Sequence, residues 1–250
     1  YDYERHFMSS VKRLLRLNIN FNQIDFNARN ITVDTFPMGI DYDKFWNAAQ
    51  NHDKLKNNQV SDLQKQLTLN IDSSPSNKLI LSIDRLDYTK GIVNRVKAFE
   101  IFLETYPEYK EKVRLVMLAV PSRSDVPQYK RLKRQTDEIV GRVNGKFSTV
   151  NWTPVWYFYR SMSFDNLIDL YTSSDIAMIT PVRDGMNLVA KEYVSTRILK
   201  KGVLILSEMA GASQEMNEAI LVNPNDLNLL ANSIKKAVEM SDSEQITRNS

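Results

Sequence analysis

Lys90 stands directly ahead of a predicted helix, at the end where partial positive charge accumulates and an acid is favoured over a cation. Something anionic must offset that conflict. Arg85 shares the loop, RLDYTK, and Arg123 repeats the arrangement in a second loop, PSRSDVP, ahead of a helix opening with Ser124, Asp125 and Pro127. Cations and helix N-termini gathered at one edge of a sheet are what a diphosphate needs, because charged donors bind phosphate oxygens strongly. A third loop, PVRDGMNLVAKE, offers acids instead. Asp184 and Gly185 precede its helix, which opens the amides of Met186, Asn187, Leu188 and Val189 to a phosphate or to sugar hydroxyls. Glu192 lies one turn past Leu188 on the same face. Carboxylates accept hydrogen bonds from polyol hydroxyls, so two acids in this arrangement suit a sugar or a ribose. Taken singly, Arg85, Lys90 and Arg123 also read as solvated loop charges, Asp184 as a helix cap and Glu192 as a surface acid.

These loops need a frame that presents them together. From about residue 78 onward, short β-branched runs alternate with segments of helical periodicity, the pattern of βα units and a parallel sheet. KLILSID predicts a strand, and Ile92, Val96, Phe99 and Leu103 then mark an amphipathic helix that stops near Pro107. VRLVMLAV is a second buried strand, followed by a charged helix from about Asp125 towards Gly141, with GRVNGK as its C-terminal punctuation. Further strands are expected near Val155 to Tyr159, Asp175 to Thr180, Val203 to Ser207 and Ile220 to Pro224. Helices are expected over Phe164 to Ser173, Asn187 to Leu199 and Asp226 to Met240. The first 77 residues are less regular: a helix near Tyr3 to Leu17, an Asn-rich stretch, a strand over Ile31 to Phe36, and two polar helices ending near Leu69. The polar last ten residues are expected to fray. The fold class is α/β, a doubly wound parallel sheet with helices on both faces, and in such a sheet ligands bind beyond the carboxyl ends of the strands.

Composition narrows the chemistry. With 42% hydrophobic and 25% charged residues the 250-residue chain is an ordinary globular sequence, and a net charge of +3 is too slight and too interspersed for a nucleic-acid binder. No cysteine is present, which removes thiolate metal sites, disulfides and cysteine nucleophiles and suits a cytoplasmic protein. Two histidines, His6 and His52, make catalytic triads and histidine metal sites hard to assemble. No apolar run is long enough to span a membrane, and the absence of an initial methionine or leader suggests a cut-out fragment. The seven glycines hold no G-x-G-x-x-G, and Phe147 in GRVNGKF stands where a phosphate loop needs Ser or Thr. The aromatic run WTPVWYFYR, Trp152 to Arg160, reads as strand core in preference to a base-stacking platform.

RLDYTKG (85–91), AVPSRSDVPQY (119–129), GRVNGKF (141–147), WTPV (152–155), TPVRDGMNLVAKEY (180–193), SEMAGA (207–212) and LVNP (221–224) follow one another in this order. Together they resemble the C-terminal half of the trehalose-6-phosphate synthases, retaining glucosyltransferases with two Rossmann-like domains of the GT-B type. The resemblance runs over nearly the whole chain and is strongest from about residue 80 to 225.

What it implies is transfer of glucose from UDP-glucose to glucose 6-phosphate, giving trehalose 6-phosphate and UDP, with no cofactor and no obligatory metal. Arg85 and Lys90 would clamp the donor diphosphate, and Asp184 would hold the glucose hydroxyls. Backbone amides from Gly185 through Met186, Asn187 and Leu188 to Val189 would touch sugar and phosphate. Glu192 would hold the ribose, and Arg123 would reach the acceptor phosphate. Arg85, Lys90 and Asp184 are thereby the expected catalytic group. The resemblance further implies an interdomain approach segment over 1–30, a Rossmann-like donor-binding domain over 31–240 and a polar tail over 241–250. The acceptor-binding N-terminal domain is expected to lie outside the chain, leaving this half nearly inactive alone; neither His6 nor His52 sits in a matching motif. Two other readings stay open: a glucosylglycerol-phosphate synthase using ADP-glucose and glycerol 3-phosphate, and a non-catalytic regulatory module.

Overall fold

A computed structural model describes residues 2–56 and 77–250 of the chain. Helix α1 (Asp2–Ser10) continues as a wider, π-type turn through Leu15. Three short strands follow, β1 (Ile19–Asn20), β2 (Gln23–Phe26) and β3 (Arg29–Thr32), paired as an antiparallel meander in which Ile24 faces Ile31. The meander replaces the irregular Asn-rich stretch expected here, and β3 ends at Thr32 instead of running on to Phe36. Met8, Val11 and Ile24 form the small cluster that this region buries, while Phe21, Leu14 and Phe36 stand 96%, 80% and 85% exposed. Helix α2 (Tyr42–Lys56) is the first of the two predicted polar helices; the second, up to Leu69, lies outside the described residues.

Six strands then form one parallel sheet: β4 (Lys78–Arg85), β5 (Val113–Val120), β6 (Val155–Phe158), β7 (Ile176–Ile179), β8 (Val203–Ser207) and β9 (Ile220–Val222). Helices α3 (Ile92–Thr105), α4 (Pro127–Phe147), α5 (Phe164–Ser173), α6 (Leu188–Ser195), α7 (Leu227–Val238) and α8 (Asp242–Arg248) accompany them. The strand order is β6-β5-β4-β7-β8-β9, all neighbours parallel, which is the doubly wound Rossmann-like order with its reversal between β4 and β7.

Alternation along each strand divides the core into two layers. Ile80, Leu115, Met117, Met178 and Ile205 point to the layer that holds Val96, Phe99 and Phe102 of α3 and Leu230 and Ile234 of α7. Leu81, Ile83, Val116, Leu118, Ile179 and Leu206 point to the other, with Phe45 of α2, Leu170 and Tyr171 of α5 and Tyr193 of α6. Strands buried on both faces must read as continuous apolar runs, which is why these were visible in the sequence.

Two boundaries differ from expectation. α4 does not end near Gly141 but runs to Phe147, because Val143 and Phe147 continue its buried face and the Asn144 side chain bonds both main-chain groups of Val155, at 2.9 Å and 3.0 Å. Packing outweighs the cost of roughly 1 kcal/mol for each helical glycine. The last ten residues do not fray: Ser241 caps α8, and Gln245 is buried, accepting from Gly202 N at 2.9 Å. In the aromatic run Trp152 is core, whereas Trp156 to Tyr159 are half-buried along the edge strand.

Candidate active site at the strand-order reversal

Where the order reverses, the connections after β4 and β7 leave towards opposite faces and open a crevice beyond their carboxyl ends. Their loops are stitched together at this point. Thr89 O accepts from Val182 N at 2.8 Å and from Arg183 N at 3.2 Å. Asp184 N donates to Met209 O and Gly211 N to Asp184 O, each at 3.1 Å, so a third loop after β8 joins the other two. Two glycines permit these crossings. Gly91 has φ +68°, and a Cβ there would lie 2.4 Å from Thr180 O; at Gly211 a Cβ would lie 2.0 Å from Gly185 O.

The crevice brings Lys90 and Asp184 into contact. Lys90 Nζ donates to Asp184 Oδ2 at 2.5 Å and lies 3.7 Å from Asp84 Oδ1, so the anion required beside this misplaced lysine is supplied within the chain. Beneath them lies Arg95, fully buried on α3. Ser82 and Asp84 continue the Ile80 face of β4 and both meet it: Nη1 donates to Ser82 Oγ at 2.8 Å and Nη2 to Asp84 Oδ2 at 2.6 Å. Arg95 also bonds the Lys90 carbonyl at 2.7 Å and Thr180 Oγ1 at 3.2 Å, which ties the lysine's own backbone to both central strands. Burial pushes the Asp84 carboxyl above its usual range, against the opposing pull of Arg95 and then Lys90.

Asp184 does not cap α6. Asn187 does, with its Oδ1 accepting from Ala190 N at 3.2 Å and its backbone at φ 91°, while Asn187 Nδ2 and Met186 N donate to the Asp184 carboxylate at 3.1 Å and 3.4 Å. Met186 N is therefore partly engaged, contrary to the expectation that all these amides stay open. The N–H groups of Gly185, Leu188 and Val189 have no acceptor among the described residues. Glu192 is oriented by the buried Tyr171, whose hydroxyl donates to Oε2 at 2.6 Å. Burial and then this carboxylate push the phenol well above its usual pKa, so it stays a donor.

The structure does not draw Arg85 and Arg123 into the Lys90 cluster. Arg85 ends β4 with its side chain exposed and in no side-chain hydrogen bond among the described residues, though its charge helps to lower the Asp87 carboxyl. Arg123 is exposed at φ 47° and donates through Nη1 to Tyr129 at 2.9 Å; Tyr129 in turn donates to Asp87 Oδ2 at 2.8 Å. Asp87 Oδ1 accepts from the Thr89 amide and hydroxyl, at 2.9 Å and 2.8 Å. Against the upward push of its burial, hydrogen bonds from Thr89 and Tyr129 hold the Asp87 carboxyl below its usual range.

Arg95, Asp84, Tyr171, Tyr129 and the capping side chain of Asn187 were not anticipated. A signal existed for the first two: Arg95 sits three after Ile92 and four before Phe99, on the apolar stripe, and Ser82 and Asp84 interrupt an otherwise apolar strand. Elsewhere, His52 pairs with Asp169 and Thr172, joining α2 to α5 away from these loops. Among the described residues no three His, Asp or Glu side chains gather as a metal site, and no helix is long and apolar enough to cross a membrane.

The chain resembles known proteins over nearly its whole length. The chain is 44% identical over 245 residues to the UDP-forming alpha,alpha-trehalose-phosphate synthase of Schizosaccharomyces pombe, covering 98% of the chain and 46% of that protein. It resembles a trehalose-6-phosphate structure from E. coli bound with UDP-2-fluoro glucose, with TM-score 0.90 and 32% identity over 100% of this chain and 54% of that one. A UDP-forming alpha,alpha-trehalose-phosphate synthase from Burkholderia xenovorans in complex with glucose-6-phosphate matches with TM-score 0.83 and 35% identity, over 91% and 48% of the two chains. The chain thus spans about half the length of these relatives. The sequence profile of glycosyltransferase family 20 matches residues 1–250, and the chain belongs to that family.

Proposed function

We propose that this chain forms the donor side of a retaining glucosyltransferase that moves glucose from UDP-glucose to glucose 6-phosphate, giving trehalose 6-phosphate and UDP. The carrying observation is the contact of Lys90 with Asp184 at the strand-order reversal. A ligand that presents an anion beside a polyol satisfies both partners at once, and a nucleotide sugar has that chemistry. The names of the S. pombe and B. xenovorans relatives, and the nucleotide sugar and sugar phosphate held by the two solved structures, support the same substrates here.

In the proposed reaction an acceptor hydroxyl oxygen bonds to the anomeric carbon as the bond from that carbon to the diphosphate breaks, both on one face of the sugar. The hydroxyl proton passes to the departing phosphate oxygen. Lys90, Arg85 and the open N–H groups of Leu188 and Val189 stabilise the charge that develops there, while Asp184 fixes the sugar hydroxyls. Glu192, steadied by Tyr171, takes the ribose, and Arg123 takes the acceptor phosphate. No step requires a metal. Phe21, Leu14 and Phe36, exposed on the N-terminal segment, belong to the surface that we assign to contact with the rest of the enzyme, and the chain alone is expected to bind donor but turn over little.

Calorimetric titration with UDP, UDP-glucose and ADP-glucose, repeated on Lys90→Ala, tests this. Uridine-selective saturation, weakened about tenfold or more by the substitution, is expected. Preference for the adenosine donor would move the assignment to a glucosylglycerol-phosphate synthase, and unchanged binding in Lys90→Ala would remove Lys90 from the site.

A further inference from the structure

We propose that Tyr129 is a positioning residue that couples the two phosphate-binding loops, so that an anion held by Arg123 tightens binding at Lys90. The inference rests on the roles proposed above for those two cations. Lys90 ends a single helical turn, Tyr88–Lys90, whose shape depends on Asp87: its Oδ1 takes the Thr89 amide and hydroxyl, and its main-chain oxygen accepts from Lys90 N at 3.0 Å. The other carboxylate oxygen of Asp87 belongs to Tyr129. A phenol has one proton to give, and here it goes to Asp87; the oxygen's lone pairs are left for Arg123 Nη1.

Tyr129 is 5% exposed, and its ring meets that of Tyr88 in an edge-type contact with centroids 6.0 Å apart, so it has little freedom of its own. Arg123 is the loose end of the series. It is exposed, its backbone is held in the left-handed region, and Tyr129 is the hydrogen-bond partner of its guanidinium among the described residues. A phosphate bound to the outward nitrogens of Arg123 fixes the guanidinium, which fixes the Tyr129 hydroxyl, the Asp87 carboxylate and the turn that aims Lys90. The second ligand then meets a loop that is already ordered, which is positive coupling without a change of fold. Binding linkage makes the effect reciprocal.

The test uses the full-length enzyme that carries this chain. UDP is titrated with and without saturating glucose 6-phosphate, in wild type and in Tyr129→Phe, which keeps the ring and removes only the hydroxyl. In wild type the acceptor should tighten UDP about threefold or more, and the acceptor's own affinity should rise by the same factor when UDP is present. In Tyr129→Phe each ligand should still bind alone, with the ratio returned to about one. A ratio unchanged by the substitution, or a ratio of one in wild type, overturns the proposal and leaves the assigned substrates intact. Failure of glucose 6-phosphate to saturate, or an acceptor affinity indifferent to Arg123→Ala, overturns the acceptor assignment and the coupling with it. Should Tyr129→Phe melt early, Arg123→Lys serves as the second variant, because a lysine lacks the fork that serves a phosphate and Tyr129 together; it must abolish the coupling as well.

Discussion

The sheet region and the N-terminal segment solve the problem of burial in opposite ways. From residue 78 onward each central strand is covered on both faces, and even a charged group such as Arg95 is enclosed by partners from β4, the Tyr88–Lys90 turn and the loop after β7. Residues 2–42 bury three apolar side chains among themselves and leave Phe21, Leu14, Phe36 and Met38 largely open. A region whose apolar groups close on one another carries its own stability, whereas one that leaves large side chains in water gains little from folding by itself. Both reach the crevice: Tyr3 of α1 accepts from Arg183 Nε at 2.9 Å, and Lys191 donates to Met38 O at 2.9 Å.

Substitutions on either side would sharpen or break that contrast. Arg95→Met, which strands Asp84 and the Lys90 carbonyl, should cost about 3–5 kcal/mol in urea denaturation and abolish UDP binding. Phe102→Ala, in the layer between α3 and the sheet, should cost a similar ~3–5 kcal/mol but reach the site only through stability. If excess UDP raised the melting temperature of the arginine variant as much as that of the phenylalanine one, the enclosed arginine would be shown to be dispensable for the donor site. Tyr171→Phe frees Glu192 and should weaken UDP by about 1 kcal/mol, roughly fivefold, in calorimetry.

Acid tests the crevice in another way. The folded pKa of Asp87 is depressed, so its contribution to stability is present above the unfolded carboxylate value, about 3.9, and is lost as pH falls through the lower folded value. The stability deficit of Asp87→Asn should therefore shrink as urea midpoints are followed down through about pH 4. Asp84 is raised and has the opposite sign: its contribution is present below the unfolded value and declines as pH rises through the folded one. The smallest effect belongs to the N-terminal segment. Phe21→Ser should change the stability of this chain by no more than about 0.5 kcal/mol, and a larger loss in the full-length enzyme would identify Phe21 as covered there.

Legibility followed the same division. The central strands β4, β5, β7 and β8 could be read because double-sided burial leaves apolar runs that admit few other interpretations. The meander could not, because strands of two to four residues are too short for a period to register. Lys90 stood out because a cation at a helix start contradicts local electrostatics, and Asp184 because it opens a helix beyond a strand. Tyr171 and Tyr129 remained hidden. Their partners lie 21 and 42 positions away, at Glu192 and Asp87, so their meaning exists only once the loops have converged. The helix end at Gly141 was misplaced for a related reason, since the strand that stabilises the continuation is more than ten residues downstream.

The Lys90–Asp184 contact also sets a threshold for simple ions. Because the lysine is already neutralised, inorganic phosphate or sulfate arriving alone must displace a carboxylate and leave it with only the neutral donors of Met186 and Asn187. A ligand that brings hydroxyls for Asp184 along with oxygens for Lys90 exchanges the pair without orphaning either member. On the proposed donor assignment, the ion pair would act as a coincidence filter, favouring a ligand that serves both of its members over a small anion that serves only one.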